Sequence, residues 1–358
     1  MKAARWYGRK DIRIEDVPEP VPGENEVLVE VEWCGICGSD LHEYLTGPIA
    51  IPRADAPHPL TKSTPPVTMG HEFCGTVLKV PSGSKLQPGQ PVVADPRLYC
   101  RSCHVCTTTR DTNGCARYGF LGLSGGGGGG LSSLVAVDER MLYTLPNDSL
   151  LETAAVVEPL AVAWHGMRGA EMTNIPDKSI LILGGGPIGI AMIHVLRANG
   201  AKKIYVSEPT VQRRAQTEKI ADVVIDPKTQ KVVEKCMELT EGKGIDVVFD
   251  CAGVTPAMMD GMMSLRMKGT YMNVAGWETP FTPHFGLFMI KELTIRASLA
   301  YNDDDFRETV AAFCEGKFKG VENMITSRIP LQDVVGRGIE ELINNKEGQV
   351  KILVSPRK

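Results

Sequence analysis

Over the first 150 residues, apolar and polar positions alternate or β-branched residues cluster in short runs at 26–32, 75–80 and 131–137. Pro18, Pro20, Pro22, Pro81 and Pro88 cut between them. Runs of period two bounded by turn residues predict strands with one buried face, so this region reads as an irregular, mostly-β unit. From about residue 156 to 300 the pattern changes. Short apolar runs at 179–183, 204–207, 246–249, 269–274 and 293–298 alternate with longer helix-like segments. That alternation predicts βαβ units, hence a parallel sheet with helices on its faces and an α/β class overall. A helix-like segment follows at 304–315, and residues 350–354 read as one more strand, expected to return to the first unit.

Length agrees with this division, because 358 residues exceed what one hydrophobic core usually serves and suggest about two domains. A net charge of -4, with 43% hydrophobic and 23% charged residues, is ordinary for a globular protein and argues against a nucleic-acid partner. The opening MKAARWYGRK has no signal-like apolar core, and the most apolar stretch, 180–196, is broken by glycines, Pro187 and His194. No membrane partner and a cytoplasmic location are therefore expected. Residues 125–130 are six consecutive glycines. Ordering them costs much backbone entropy, so the run reads either as a mobile connector or as a loop whose backbone must lie close to a substrate or a neighbouring subunit.

Leu183-Gly184-Gly185-Gly186-Pro187-Ile188-Gly189 places a G-x-G-x-x-G pattern between an apolar run and a helix-like segment. Gly184, Gly186 and Gly189 permit a tight turn and close approach of a pyrophosphate, while Pro187 and Ile188 open a helix whose N–H groups can receive it. Glu208 ends the next apolar run, nineteen positions after Gly189, where a carboxylate can hold a ribose 2′-OH. It favours NAD over NADP, although Arg213 and Arg214 lie near enough in sequence to argue the other way. Asp250-Cys251-Ala252-Gly253 and Asn273-Val274-Ala275-Gly276 close two further runs. Cys251, Gly253, Val274 and Gly276 are thus either coenzyme contacts or ordinary strand-end turn residues.

Cys34-Gly35-Ile36-Cys37-Gly38-Ser39-Asp40-Leu41-His42 packs two thiols, a hydroxyl, a carboxylate and an imidazole into nine residues, and Gly70-His71-Glu72 follows some thirty positions later. Zinc takes such ligands, and a catalytic zinc keeps one position open. Cys100, Cys103, Cys106 and Cys115 form a second set. Four thiolates close a tetrahedral site and brace a loop, and their crowding favours metal over disulfides; His104 is not needed there.

Cys37-Gly38-Ser39-Asp40-Leu41-His42, Gly70-His71-Glu72, the four clustered cysteines, Glu158-Pro159-Leu160-Ala161-Val162 and the turn at 184–189 together resemble the zinc-containing medium-chain alcohol and polyol dehydrogenases, over nearly the whole chain. The resemblance implies a GroES-like, mostly-β catalytic domain from residues 1–155 and 298–358, an inserted Rossmann domain at 156–297 that binds NAD, and an active cleft between them. It also implies one catalytic zinc ion (Zn2+), one structural zinc, and a homodimer or homotetramer. Cys37 and His71 would bind the catalytic zinc, with Glu72 and Glu158 as alternative carboxylate partners, Glu158 through water in one version. Eight residues separate Cys106 from Cys115, one more than is usual in the family. Within the family the chain is similar to butanediol dehydrogenases at Glu43-Tyr44-Leu45, Gly47-Pro48-Ile49, His58-Pro59-Leu60-Thr61, Gly122-Leu123-Ser124, Lys291-Glu292-Leu293-Thr294 and Ser298-Leu299-Ala300-Tyr301. That implies (R,R)-2,3-butanediol and acetoin as the substrate pair, with Leu299 among the coenzyme contacts; a sorbitol- or xylitol-type polyol dehydrogenase is the alternative.

On this reading zinc makes the alcohol more acidic and the nicotinamide accepts a hydride. Ser39 and His42 form a proton path to water. Asp40 orients a ligand histidine, caps a helix, or does both. Two other classes compete: a zinc-free reductase, opposed by the joint presence of Cys37, His71 and Glu72, and a non-catalytic NAD-sensing zinc protein, opposed by the Ser39–His42 relay.

Overall fold

The computed structural model describes residues 1–277, 279–280, 285–345 and 348–357. It contains two compact units, one formed by Met1–Glu158, Asn302–Cys314 and Ile325–Lys358, the other by Pro159–Tyr301 and Glu315–Met324.

In the first unit Lys2–Gly8 pairs with Asp11–Asp16 on one side and Val67–Thr68 on the other. A larger sheet runs Leu142–Thr144, Pro91–Ala94, Glu72–Lys79, Glu26–Gly35, Lys351–Ser355, Ile325–Pro330, with Leu134–Asp138 also paired to Glu26–Gly35. The tail strand thus returns to the first unit as the alternation predicts. Val29, Val31, Phe73, Val92, Val135 and Ile352 fill the core behind this sheet. The run at 75–80 proves to begin earlier, at Glu72, because that carboxylate is fully buried and an apolar pattern cannot reveal it. The run at 131–137 shifts to Leu134–Asp138.

The second unit holds six parallel strands in the order Val223–Ile225, Lys203–Ser207, Ser179–Leu183, Ile245–Asp250, Leu265–Asn273, Thr294–Ala297. Ile180, Leu181, Ile182 and Leu183 are all sealed from solvent. Burial on both faces explains why this run is apolar throughout, and each such side chain contributes roughly 1.5–3 kcal/mol. The direction of strand succession reverses between Ser179–Leu183 and Ile245–Asp250, so their carboxyl ends are where a ligand is expected. Val223–Ile225 escaped the sequence pattern because three residues are too few to show a period. No helix among the described residues is long and apolar enough to cross a membrane.

Candidate active site and coenzyme site

Strand register builds the first site. Glu26–Gly35 is antiparallel to Glu72–Lys79, with Gly35 opposite Glu72, and antiparallel to Lys351–Ser355, with Gly35 opposite Leu353. The carboxyl end of one strand therefore meets the amino ends of two others, and Cys37, Glu72 and Lys351 converge. Position 35 must be glycine, since a Cβ there would overlap the Glu72 carboxylate.

Cys37 caps the helix Gly38–Thr46, and its N–H donates to Asp40 Oδ2 at 2.9 Å. Asp40 therefore sits three residues inside the helix, and the N-cap position predicted for it belongs to Cys37. Its other oxygen, Oδ1, lies 3.7 Å from His71 Nδ1; both atoms are buried without a hydrogen-bond partner. The far side of the ring faces the helix, with Nε2 at 3.2 Å from Ser39 Oγ. His42, half-buried, lies three residues beyond Ser39, hence on the same helix face. Ligand atoms of Cys37, His71 and Glu72 all lie within 4.8 Å of one another. A thiolate, an imidazole and a carboxylate are a zinc donor set, and the buried Asp40 carboxylate stands next to the His71 ring, just beyond hydrogen-bond distance, where a carboxylate supports a ligand histidine.

Sequence reasoning missed Lys351. Its ammonium is buried and donates to both Glu72 oxygens at 2.8 and 2.7 Å and to the Ile36 carbonyl at 3.0 Å. Burial works against its charge, but Glu72 and then Cys37 outweigh it and raise its pKa. The available signal was a lysine opening a strand whose five residues are all buried, which requires a counter-ion. Burial, followed by the Glu72 charge, pushes the Cys37 thiol well up, with the buried Glu158 adding to it. A dication beside Cys37 would offset both effects.

The second cluster is local. Cys100, Cys103, Cys106 and Cys115 bring their sulfurs within 4.8 Å of one another, with Cys100–Cys115 at 3.5 Å and Cys103–Cys115 at 3.9 Å. A tetrahedral zinc with bonds near 2.3 Å needs sulfurs about 3.8 Å apart, so the set fits. The short helix His104–Thr108 and the turn Thr112–Gly114 take up the long Cys106–Cys115 interval. His104 is exposed and outside the cluster. Beneath the loop, fully buried Arg97 donates to Asp95, Thr112 and Asp303, which ties the loop to the helix Asp303–Cys314. No cysteine forms a disulfide.

In the second unit, Gly184 has φ +93°, and a Cβ at Gly189 would overlap the Gly184 carbonyl, so the turn admits only glycine at both places. Gly186 caps the helix that Pro187 and Ile188 begin, Pro187–Ala198. Glu208, nearly sealed, accepts the Gly185 N–H at 2.6 Å and the Thr210 N–H at 2.7 Å. Each oxygen keeps a further lone pair for a ribose hydroxyl. Arg213 lies beside Gly186, and its Nε is buried without a partner. Cys251 and Gly253 follow the strand beside this turn, where Ala252 touches Gly184, and Gly253 packs on Gly276, two residues past Val274. Asp250, the first residue of the segment 250–253, organises these ends by accepting from the Ala252 and Gly253 N–H groups and from the Tyr271 hydroxyl. Leu299 is apart from them in character, exposed just beyond Thr294–Ala297.

Two family models match the chain: an alcohol dehydrogenase GroES-like domain over residues 23–147 and a zinc-binding dehydrogenase over residues 187–315. Among curated proteins, the (R,R)-butanediol dehydrogenase of Bacillus subtilis is 42% identical, the alignment covering 99% of this chain and 100% of that one. The (R,R)-butanediol dehydrogenase of Neisseria gonorrhoeae is 39% identical, with 99% of each covered. The crystal structure of 2R,3R-butanediol dehydrogenase from Bacillus subtilis superposes with a TM-score of 0.91 at 39% identity, covering 99% of both chains.

Proposed function

The chain belongs to the zinc-binding alcohol dehydrogenase family, and from that premise we propose that it interconverts a small secondary alcohol or vicinal diol and its ketone with NAD, foremost (R,R)-2,3-butanediol and acetoin. The observation that carries the reading is the convergence of Cys37, His71 and Glu72, with Ser39 against His71 Nε2, in a chain similar end to end to proteins of that activity. Zinc supplies Lewis acidity that makes the substrate hydroxyl more acidic, and NAD supplies a two-electron acceptor. Cys37 and His71 hold the ion. Glu72 and Glu158 would be the alternative carboxylate partners, Glu72 being hydrogen-bonded to Lys351 in the state described. Asp40 orients His71. Ser39 would receive the proton that the substrate hydroxyl gives up and pass it through His42 to solvent.

Coenzyme is held by Gly184, Gly186, Pro187, Ile188, Gly189, Glu208 and Arg213, with Cys251, Gly253, Val274, Gly276 and Leu299 completing the contacts. The catalytic domain is assigned to residues 1–155 and 298–358 and the coenzyme domain to 156–297, within a few residues of the two compact units except that Glu315–Met324 groups with the second unit. Among the described residues Thr294–Ala297 is the outer strand of its sheet, and exposed Ile295 and Leu299 make that edge a template for a second copy. This supports a homodimer, or a tetramer made of two. The four-thiol cluster stays reduced in the cytoplasm, where we place the protein.

The test is a substrate panel run on the zinc-loaded protein with both coenzymes. Highest kcat/KM is expected for (R,R)-2,3-butanediol with NAD. Faster turnover of sorbitol or xylitol would move the protein to the polyol dehydrogenases, and no turnover of any alcohol would favour a coenzyme-sensing role.

A further inference from the structure

We infer that the glycine-rich segment is a brace for His71, with Gly122 as its positioning residue; this rests on the reading of His71 as a zinc ligand. Both ends of the segment sit on Met69–Gly70, the residues that lead into His71. A Cβ at Gly122 would overlap the Gly70 carbonyl, and one at Gly129 would overlap the Met69 carbonyl. Gly130 N–H donates to Gly70 O at 2.7 Å, and Leu131 N–H donates to Met69 O at 2.9 Å. Gly122 N–H donates to Gly128 O at 3.1 Å, which closes the run on itself. From the side, the Phe120 ring stands 5.6 Å from the His71 ring at 57°. Phe120 is held in turn, since its N–H donates to Ser124 Oγ at 3.1 Å and the Thr61 hydroxyl donates to Ser124 O at 2.6 Å.

At Gly122 and Gly129 the neighbours are main-chain carbonyls, which cannot swing away as a side chain would, whereas Gly125, Gly126, Gly128 and Gly130 face side chains. Backbone therefore lies against backbone at the two ends of the segment, and the partner there is the Met69–Gly70 stretch that leads into His71. A ligand ring must be held to within a fraction of an ångström and roughly 10–20° to stay productive. Fixing Gly70 fixes the point from which His71 projects, and Phe120 limits how the ring can turn.

Gly127 provides a matched control. It lies in the same run with φ +104°, against +87° at Gly122, but a Cβ there would meet nothing closer than 3.9 Å. Alanine at either position imposes left-handed strain; only alanine at 122 pushes on Gly70. The experiment replaces zinc by cobalt in the wild type, Gly122→Ala, Gly127→Ala and His71→Ala, and records the visible ligand-field spectrum and the rate of metal release to a chelator. The band missing in His71→Ala identifies the open site. In Gly122→Ala that band should shift, and metal should leave about 10- to 100-fold faster, the usual scale for loss of support behind a ligand. Gly127→Ala should match the wild type in both readouts, whatever its melting temperature. Identical behaviour of the two alanine variants overturns the brace. A His71→Ala protein with the full wild-type spectrum overturns the ligand reading instead. If Gly122→Ala does not fold, Phe120→Leu decides, because it removes the ring without a clash: faster release supports the brace and an unchanged rate refutes it.

Discussion

The two sulfur-bearing clusters are built in opposite ways. Cys100, Cys103, Cys106 and Cys115 lie within sixteen residues, on one loop, three of them half-exposed. Local donors lower two of their thiols, the Ser102 backbone and then its side chain pulling Cys100 down to about 5, while burial pushes Cys106 up to about 12. Cys37 comes from the start of one helix and the adjacent His71 and Glu72 from the start of a strand, and the lysine that balances Glu72 is 279 residues further on. There, burial pushes the Cys37 thiol up. A cluster assembled by a loop stabilises that loop, while one assembled by sheet register inherits the rigidity of the sheet and can leave a coordination position open.

The sharpest way to break this contrast is to remove ligands of the open cluster. Cys37→Ser and His71→Ala should each lower the zinc count from two to one per chain and reduce turnover by roughly 10³-fold or more, while coenzyme binding persists. Metal analysis beside steady-state kinetics checks both numbers. A smaller loss is expected at the relay. His42→Ala should keep both zinc ions and slow alcohol oxidation by about 10²-fold, within a range reaching ~10⁴. The deficit should be largest at low pH, where water is a poor proton acceptor, and an added imidazole should restore part of the rate. An unchanged pH profile in His42→Ala would remove the relay from the mechanism.

The same contrast explains what could be read from the chain. The closed cluster and the glycine turn at 184–189 are local, so spacing alone exposed them, as apolar runs exposed five of the six parallel strands. The open cluster was legible only as separate fragments. Cys37 and His71 meet because Gly35 pairs with Glu72, and register is a long-range property that no short window contains. Lys351 was hidden for the same reason, its partner lying on a strand two positions away in the sheet. The six glycines show the limit from another side. Their conformational freedom was evident, but which backbone they approach depends on where the chain folds back, onto Met69–Gly70.

The buried pair offers a test between the clusters. In the metal-free protein Lys351→Met leaves the Glu72 carboxylate uncompensated in the interior and should cost about 3–5 kcal/mol. Adding Glu72→Gln removes the charge and should recover most of it. Denaturant midpoints of the two single variants and the double variant measure the coupling. Simple additivity would show that the pair does not hold the strand ends together.

At the closed cluster the smallest effect on turnover is expected, with the larger effect on stability. On the proposed reading Cys103→Ser removes one thiolate from a closed site without a substrate role, so the structural ion should bind weakly or be lost while Cys37 and His71 should keep theirs. Metal binding there is coupled to folding of the loop at 100–115, so the melting temperature should fall by several degrees, and digestion should begin within that loop. Arg97 limits the damage. Its bonds to Asp95, Thr112 and Asp303 hold the base of the loop whether or not the tip is ordered, so the sheet behind it stays intact. Turnover per remaining zinc should therefore stay within about twofold of the wild type at temperatures well below melting, since the lost ligand touches no reacting group. Loss of turnover in step with loss of the structural ion, at a temperature where the protein is still folded, would mean that the closed cluster shapes the open one and that the two are not independent.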